Sequence, residues 1–225
     1  MNVLLIWLQS HVLLLLLTLA SVAMFVWLLL LRKRLNMSWY VALALAVLHT
    51  LFGVLCVRVF AWMEGVGSGA MSLFGAVFFM PIGYFLGAKI TRRPTAEVFD
   101  IFAIPMIFTL LCARCNCLIA GCCIGRFIPG TSVRWPTREL EIVFYIVFLS
   151  LMIPKVWTGK TNGKVYTLYM MTYGAFRIVI ECFRVANSQT LFHVAHIWAI
   201  LALIVGLSIY IEQKGKEKKK IKKRG

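Results

Sequence analysis

Apolar residues in this chain do not alternate with polar ones at the period of a strand or of a half-buried helix. They come in long runs, separated by short stretches where arginine, lysine, glycine and proline collect. Seven runs stand out, at 3–31, 39–62, 71–90, 98–120, 140–157, 165–182 and 191–211. Each has the length, about 17–25 residues, that a helix needs to cross a bilayer. Hydrocarbon offers backbone N–H and C=O groups no partner, so such a run satisfies them internally, as a helix. The pattern predicts an all-α integral membrane protein of seven transmembrane helices. Residues 1–211 form one seven-span membrane domain and residues 212–225 a basic tail. No internal repeat is visible, and no linker is long enough to divide the chain.

Composition agrees. The 225 residues are 61% hydrophobic with a mean hydropathy of +0.88, where a soluble domain is nearer half apolar. The formal net charge of +16 would suit nucleic acid if it covered a soluble face. Instead the basic residues cluster at 32–34, at Lys89, Arg92 and Arg93, at Lys155, Lys160 and Lys164, and at 214–224. Nucleic acid is therefore rejected as a partner. Clusters that alternate with poorly basic connections follow the positive-inside rule, which places the N-terminus outside and the C-terminus in the cytoplasm. The first run is too long for a signal-peptide core and has no basic region before it, so it reads as a retained span. The tail is a like-charge block, expected to be disordered and drawn to anionic lipid.

Orientation exposes a partition by residue type. Every lysine falls on the cytoplasmic side, while the outer half holds only arginines: Arg58, Arg114, Arg126, Arg134, Arg138, Arg177 and Arg184. The positive-inside rule disfavours both cations there and does not select between them. Arginine grips phosphate or carboxylate through two bonds and keeps its charge when desolvated. An outer-leaflet pocket for an anionic headgroup would select this pattern. The plainer reading is that arginines snorkel to the interface or pair with Glu64, Glu139, Glu141 and Glu181.

The sixth run is the most informative. It carries Arg177 and Glu181, four apart and so on one helical face, with Arg184 at its end. An ionisable residue within a span costs about 2.5–3.5 kcal/mol on insertion scales and marks a candidate site. A second constellation ends the fourth run, where residues 114–126 hold four of the seven cysteines. Gly121 and Gly125 permit a tight backbone there. Three readings stand side by side. The spacing of Cys115, Cys117, Cys122 and Cys123 is not that of a zinc site, so no metal is assigned. A disulfide is allowed outside, although the adjacent Cys122 and Cys123 cannot bridge each other without strain. The third reading is small residues that let helices approach closely.

At these residues the chain resembles the prolipoprotein diacylglyceryl transferase family. Cys56-Val57-Arg58-Val59 looks like the family's Gly-Ala-Arg-Leu. Residues Ser68 to Ala76 look like its Gly-Gly-Leu-Ser-x-His-Gly-Gly segment, and Asp100 fits an acidic residue downstream. Arg114 to Arg126 resembles its signature Arg-Ile-Gly-Asn-Phe-x-Asn-Gly-Glu-x-x-Gly-Arg. Arg134-Trp135-Pro136-Thr137, followed by Glu141, resembles Arg-His-Pro-Ser-Gln-x-x-Glu. Tyr173-Gly174-x-x-Arg177-x-x-x-Glu181-x-Phe183-Arg184 matches its sixth-span motif residue for residue.

The resemblance implies a multi-pass enzyme of the bacterial plasma membrane. It would move a diacylglyceryl group from phosphatidylglycerol to the lipobox cysteine of a preprolipoprotein, without a cofactor. Arg114 and Arg177 would hold the lipid phosphate, Glu181 would orient Arg177, and Tyr173 would hydrogen-bond the headgroup. Gly125 would keep the outer loop near the lipid. Arg58, Cys117, Arg126 and Arg134 complete the candidate binding residues.

The departures fall on acid–base groups. Phe74 stands where the family has histidine, and Cys117 and Cys122 stand for its asparagine and glutamate. His11 looks to replace a tyrosine near the outer end of the first span. Its ordinary pKa suits a general base, and replacement by Ala with full activity would remove it from that role. Two rivals follow: a non-catalytic anionic-lipid-binding relative, and a membrane thiol oxidoreductase, which lacks the expected C-x-x-C pair. His49, His193 and His196 carry no assignment beyond an interface cap for the last two.

Overall fold

A computed structural model describes residues 3–65, 70–90, 92–185 and 194–222. They form seven helices: α1 Val3–Leu35, α2 Trp39–Met63, α3 Phe74–Ile90, α4 Thr95–Ile119, α5 Thr137–Trp157, α6 Val165–Glu181 and α7 Val194–Lys222. Among the described residues there are no strands, only isolated bridges. The seven apolar runs thus map onto helices one for one. Five helices are long and apolar enough to cross a membrane, α1, α2, α4, α5 and α7, and α3 is a shorter apolar helix. Helices α3 and α6 have 17 residues each, a rise of about 25 Å against a hydrocarbon core of about 30 Å. Ser68 and Gly69 of the third-run motif lie outside the described residues, as do Leu191 and His193 before α7.

Helix α3 begins later than its apolar run because the Ser72 N–H bonds back to the Val57 carbonyl of α2 at 3.0 Å. The tail departs from the expected disorder. Helix α7 continues through the basic block to Lys222, since lysine and glutamate are good helix formers and Lys216 pairs with Glu212 one turn back at 2.6 Å.

The helices pack in a bundle in which α6 lies mainly against α7, and α4 against α1 and α5. Helices α6 and α7 meet through small residues, the common solution where lipid removes the hydrophobic drive between helices. A Cβ added at Gly174 would sit 2.7 Å from the Leu203 nitrogen and 2.8 Å from the Ala199 carbonyl. Ala199 and Ala202 are fully buried. Outward faces stay apolar, with Leu19, Leu30, Leu51, Val143 and Ile204 among the exposed residues.

Polar contacts concentrate at the two ends of the bundle. At one end Arg34, closing α1, pairs with Glu97 at 2.7 Å and donates to the Val156 carbonyl at 2.6 Å. Beside it Asp100 is buried and accepts from Thr161 at 2.5 Å and from the N–H groups of Gly163 at 2.6 Å and Val165 at 3.0 Å. Asp100 thereby positions the start of α6. The other end, where α4 and α6 finish and α5 begins, holds the buried arginines.

Candidate functional site

Arg114 lies one turn before the end of α4, Glu141 one turn into α5, and Arg177 and Glu181 in the last turns of α6. All four are at most 4% exposed. Glu141 sits between two guanidiniums, meeting Arg114 with one carboxylate oxygen and Arg177 with the other. Arg177 turns a second nitrogen to Glu181 at 2.7 Å, and Glu181 meets Arg184 at 3.1 Å. The result is an alternating ladder: Arg114, Glu141, Arg177, Glu181, Arg184. Its three cations against two carboxylates leave one positive charge. Burying charges in a low dielectric is costly unless each is paired, and the alternation supplies that pairing.

The ladder has unused donors. Arg177 Nε and the Tyr173 hydroxyl are buried without a hydrogen-bond partner among the described residues. Tyr173 is close enough to interact electrostatically with both Arg114 and Arg177. Its ring stacks on Tyr169 at 5.3 Å, which fixes its direction. Phe74 is buried against the same group, its ring 5.9 Å from that of Tyr173 and 5.9 Å from the Arg177 guanidinium. The residue that stands for the family's histidine therefore borders the ladder with an apolar ring and cannot take a proton. Glu64 lies past the end of α2, beside Ser72 and Trp198 and within electrostatic reach of Arg177. Burial pushes its carboxyl up from the ordinary value, while those hydrogen bonds and Arg177 act the other way.

The segment between α4 and α5 folds over the ladder. The Arg126 N–H bonds the Phe183 carbonyl at 2.8 Å and the Val185 N–H bonds Ile124 at 3.1 Å. Gly125 bridges Arg184. A Cβ on Gly125 would lie 2.0 Å from the Trp135 carbonyl oxygen, so only glycine allows this approach. Trp135 packs on Phe183 with ring centres 4.6 Å apart. Arg126 Nε donates to the Arg184 carbonyl at 2.8 Å. Arg134 donates to Gly125 at 3.1 Å and lies 3.9 Å over the Phe127 ring. Both side chains brace this segment.

The thiols of Cys117, Cys122 and Cys123 converge within 4.8 Å of one another. Outside the helices, the Cys123 thiol is pushed down to about 4 by the Cys117 hydrogen bond and the nearby Arg184 and Arg114, against burial. Burial pushes Cys122 up.

Of the sequence-derived candidates, the structure brings together Arg114, Arg177, Glu181 and Tyr173, with Gly125, Arg126 and Arg134 in the covering segment. Cys117 is half-buried at the end of α4. Arg58 is exposed on α2, outside the ladder. His11 is half-buried in α1. His196 is not an interface cap: it is buried, with Nε2 3.6 Å from the Cys182 thiol. His49 is buried and hydrogen-bonded to Tyr84 at 2.8 Å. Sequence reasoning gave the central place to Glu181 and missed Glu141 as the hub. The available signal was an acid within the apolar run that opens α5.

Fold and site define a helical membrane protein with a buried, arginine-rich ion-pair ladder. The sequence profile of the prolipoprotein diacylglyceryl transferases matches residues 15–212, and the chain belongs to that family. Similar proteins named phosphatidylglycerol–prolipoprotein diacylglyceryl transferase occur in several bacteria. One from Dehalococcoides mccartyi (strain CBDB1) is 23% identical over 164 residues, 66% of this chain and 63% of its own. One from Clostridium tetani is 19% identical, covering 66% of each chain. One from Helicobacter pylori (strain Shi470) is 25% identical over 177 residues, 70% of this chain and 62% of its own. The match thus spans less than two thirds of the Dehalococcoides relative.

Proposed function

We propose that this protein transfers a diacylglyceryl group from phosphatidylglycerol to a thiol acceptor, a lipobox cysteine or a related one, at the outer face of the plasma membrane. The observation that carries the reading is the ladder with its unused donors. Among the described residues Arg177 Nε and the Tyr173 hydroxyl are buried and unpartnered, next to the Arg114 guanidinium, an arrangement suited to phosphate. Membership of the family supports the reaction class.

In this reading Arg114 and Arg177 grip the lipid phosphate, and Tyr173 adds a hydrogen bond. The acceptor thiolate attacks the glyceryl carbon bonded to the phosphate oxygen. A C–S bond forms, the C–O bond breaks, and its electron pair leaves on glycerol phosphate. The arginines stabilise that charge, an effect of about 10²–10³ per donor in comparable sites. Glu141 and Glu181 hold the guanidiniums in place before lipid arrives. Gly125, Arg126 and Arg134 keep the covering segment over the headgroup, Arg58 and Cys117 border the approach, and His11 takes the thiol proton. The N-terminus lies outside and the C-terminus in the cytoplasm, which puts the ladder at the outer-leaflet end of the bundle.

Purified protein given labelled phosphatidylglycerol and a lipobox peptide should yield a thioether-linked peptide and free glycerol phosphate. No product, with a competent relative alongside, would refute the enzyme. A second reading rests on Phe74: with an apolar ring at the histidine position, the protein binds anionic lipid without turnover. Lipid retained with no product from any thiol would select it.

A further inference from the structure

We propose that Cys117, Cys122 and Cys123 form a three-thiolate site for a thiophilic divalent cation of the zinc class, with a fourth position open to a thiol. Their spacing in sequence resembles no zinc motif, yet the three sulfurs lie within 4.8 Å of one another. Sulfurs about 2.3 Å from a tetrahedral zinc stand about 3.8 Å apart, so small side-chain rotations close the set. The backbone makes the convergence. Helix α4 ends with the Ala120 N–H on the Asn116 carbonyl at 2.8 Å and the Cys122 N–H on the Cys117 carbonyl at 3.2 Å. Gly121 and Cys123 then take left-handed φ values of 69° and 57°, folding the chain back over the helix end. A non-glycine residue held there is strained by about 1–3 kcal/mol, a cost that gathers at functional positions. Thr137 and Arg138 donate to the Cys123 and Cys122 carbonyls at 3.3 and 3.5 Å, fixing the turn from α5.

Charge fits as well. A divalent cation on three thiolates carries one net negative charge, and Arg114 and Arg184 are the nearby cations. The negative end of the α4 dipole also favours a cation. Cys122 is exposed and the other two thiols are half-buried, so an ion can enter. Three protein ligands leave one coordination position for water or an incoming thiol. A thiol bound there is acidified and held as thiolate, which eases the proton transfer assigned above to His11. This role, though not the site itself, rests on the transferase reading.

The test uses the full chain, reduced, in detergent micelles. Cobalt(II) should bind one equivalent with a sulfur-to-metal charge-transfer band. Cys117→Ser, Cys122→Ser and Cys123→Ser should each weaken binding at least tenfold, while Cys115→Ser should not. In the wild type, zinc should protect those three thiols, but not Cys115, from alkylation. A cysteine peptide should shift the cobalt spectrum and its serine counterpart should not. Substoichiometric metal in the reduced protein, full binding by Cys123→Ser, a disulfide among the three on isolation, or a spectrum indifferent to the cysteine peptide would overturn the proposal. Metal binding without transfer would leave the site standing and count against the transferase reading alone.

Discussion

Glu141→Gln isolates the ladder's hub while keeping its shape. In the native protein the Glu141 side chain is 2% exposed, against 5% for Arg114 and 4% for Arg177. Loss of its charge leaves Arg177 with Glu181 at 2.7 Å, but strips Arg114 of the carboxylate that neutralises it. Removing one partner of a buried pair costs about 3–5 kcal/mol. For a chain of this size that corresponds to a Tm lower by roughly 6–20 °C. Glu181→Gln serves as the comparison. Arg177 then keeps Glu141, and Arg184, at 16% side-chain exposure, reaches water, so a loss of about 1.5–3 kcal/mol is expected. Replacing both ends, Arg114→Met with Glu141→Leu, removes the desolvation cost along with the attraction and should restore most of the stability lost in Glu141→Gln. Thermal unfolding in lipid–detergent micelles reads all three. A Glu141→Gln loss under about 1 kcal/mol, or one equal to that of Glu181→Gln, would refute the ladder as drawn.

Three further outcomes follow from other parts of the structure. Asp100→Asn weakens the three bonds that seat the start of α6; a loss of about 2–3 kcal/mol, with faster amide exchange at Gly163 and Val165, is expected, and unchanged exchange would refute it. Gly125→Ala places a methyl group against the Trp135 carbonyl; it should displace the covering segment and lower activity at least tenfold while the helices persist, as circular dichroism and transfer assays would read. Glu64 has a raised pKa in the folded protein, so its contribution to stability is present below about pH 4.5 and is lost as pH rises through the folded value. Glu64→Gln should therefore unfold at a higher temperature than wild type at pH 7, with the gap closing toward pH 4.5, and a pH-independent gap would refute the assignment.

Helix number and order were legible because spanning runs are set by local hydropathy. The run at 39–62 became Trp39–Met63, and that at 140–157 became Thr137–Trp157. Arg177 and Glu181 were legible as a pair because four residues on a helix is a local distance. Glu141 was not, because its bond to Arg177 joins positions 36 apart and exists only once α5 and α6 pack. The cysteine cluster was hidden for a related reason. Its spacing argues against metal, and only the left-handed turn at Cys123 brings the sulfurs together. Arg126 and Arg134 stood out in the sequence as candidate binding residues, but their bonds to backbone carbonyls depend on the covering segment's fold. The tail was misread as disordered because charge repulsion was weighed above the helix that precedes it.

The proposed transfer requires the buried arginines to grip a lipid phosphate while the diacylglyceryl group leaves. Its most direct test is single-turnover release of glycerol phosphate from labelled phosphatidylglycerol in the presence of a lipobox peptide, for wild type, Arg114→Lys and Arg177→Lys. Release by wild type and a fall of about 10²–10³ in each variant are expected, as lysine keeps the charge but not the fork. No release by wild type beside a competent relative, or undiminished release by Arg177→Lys, would contradict it.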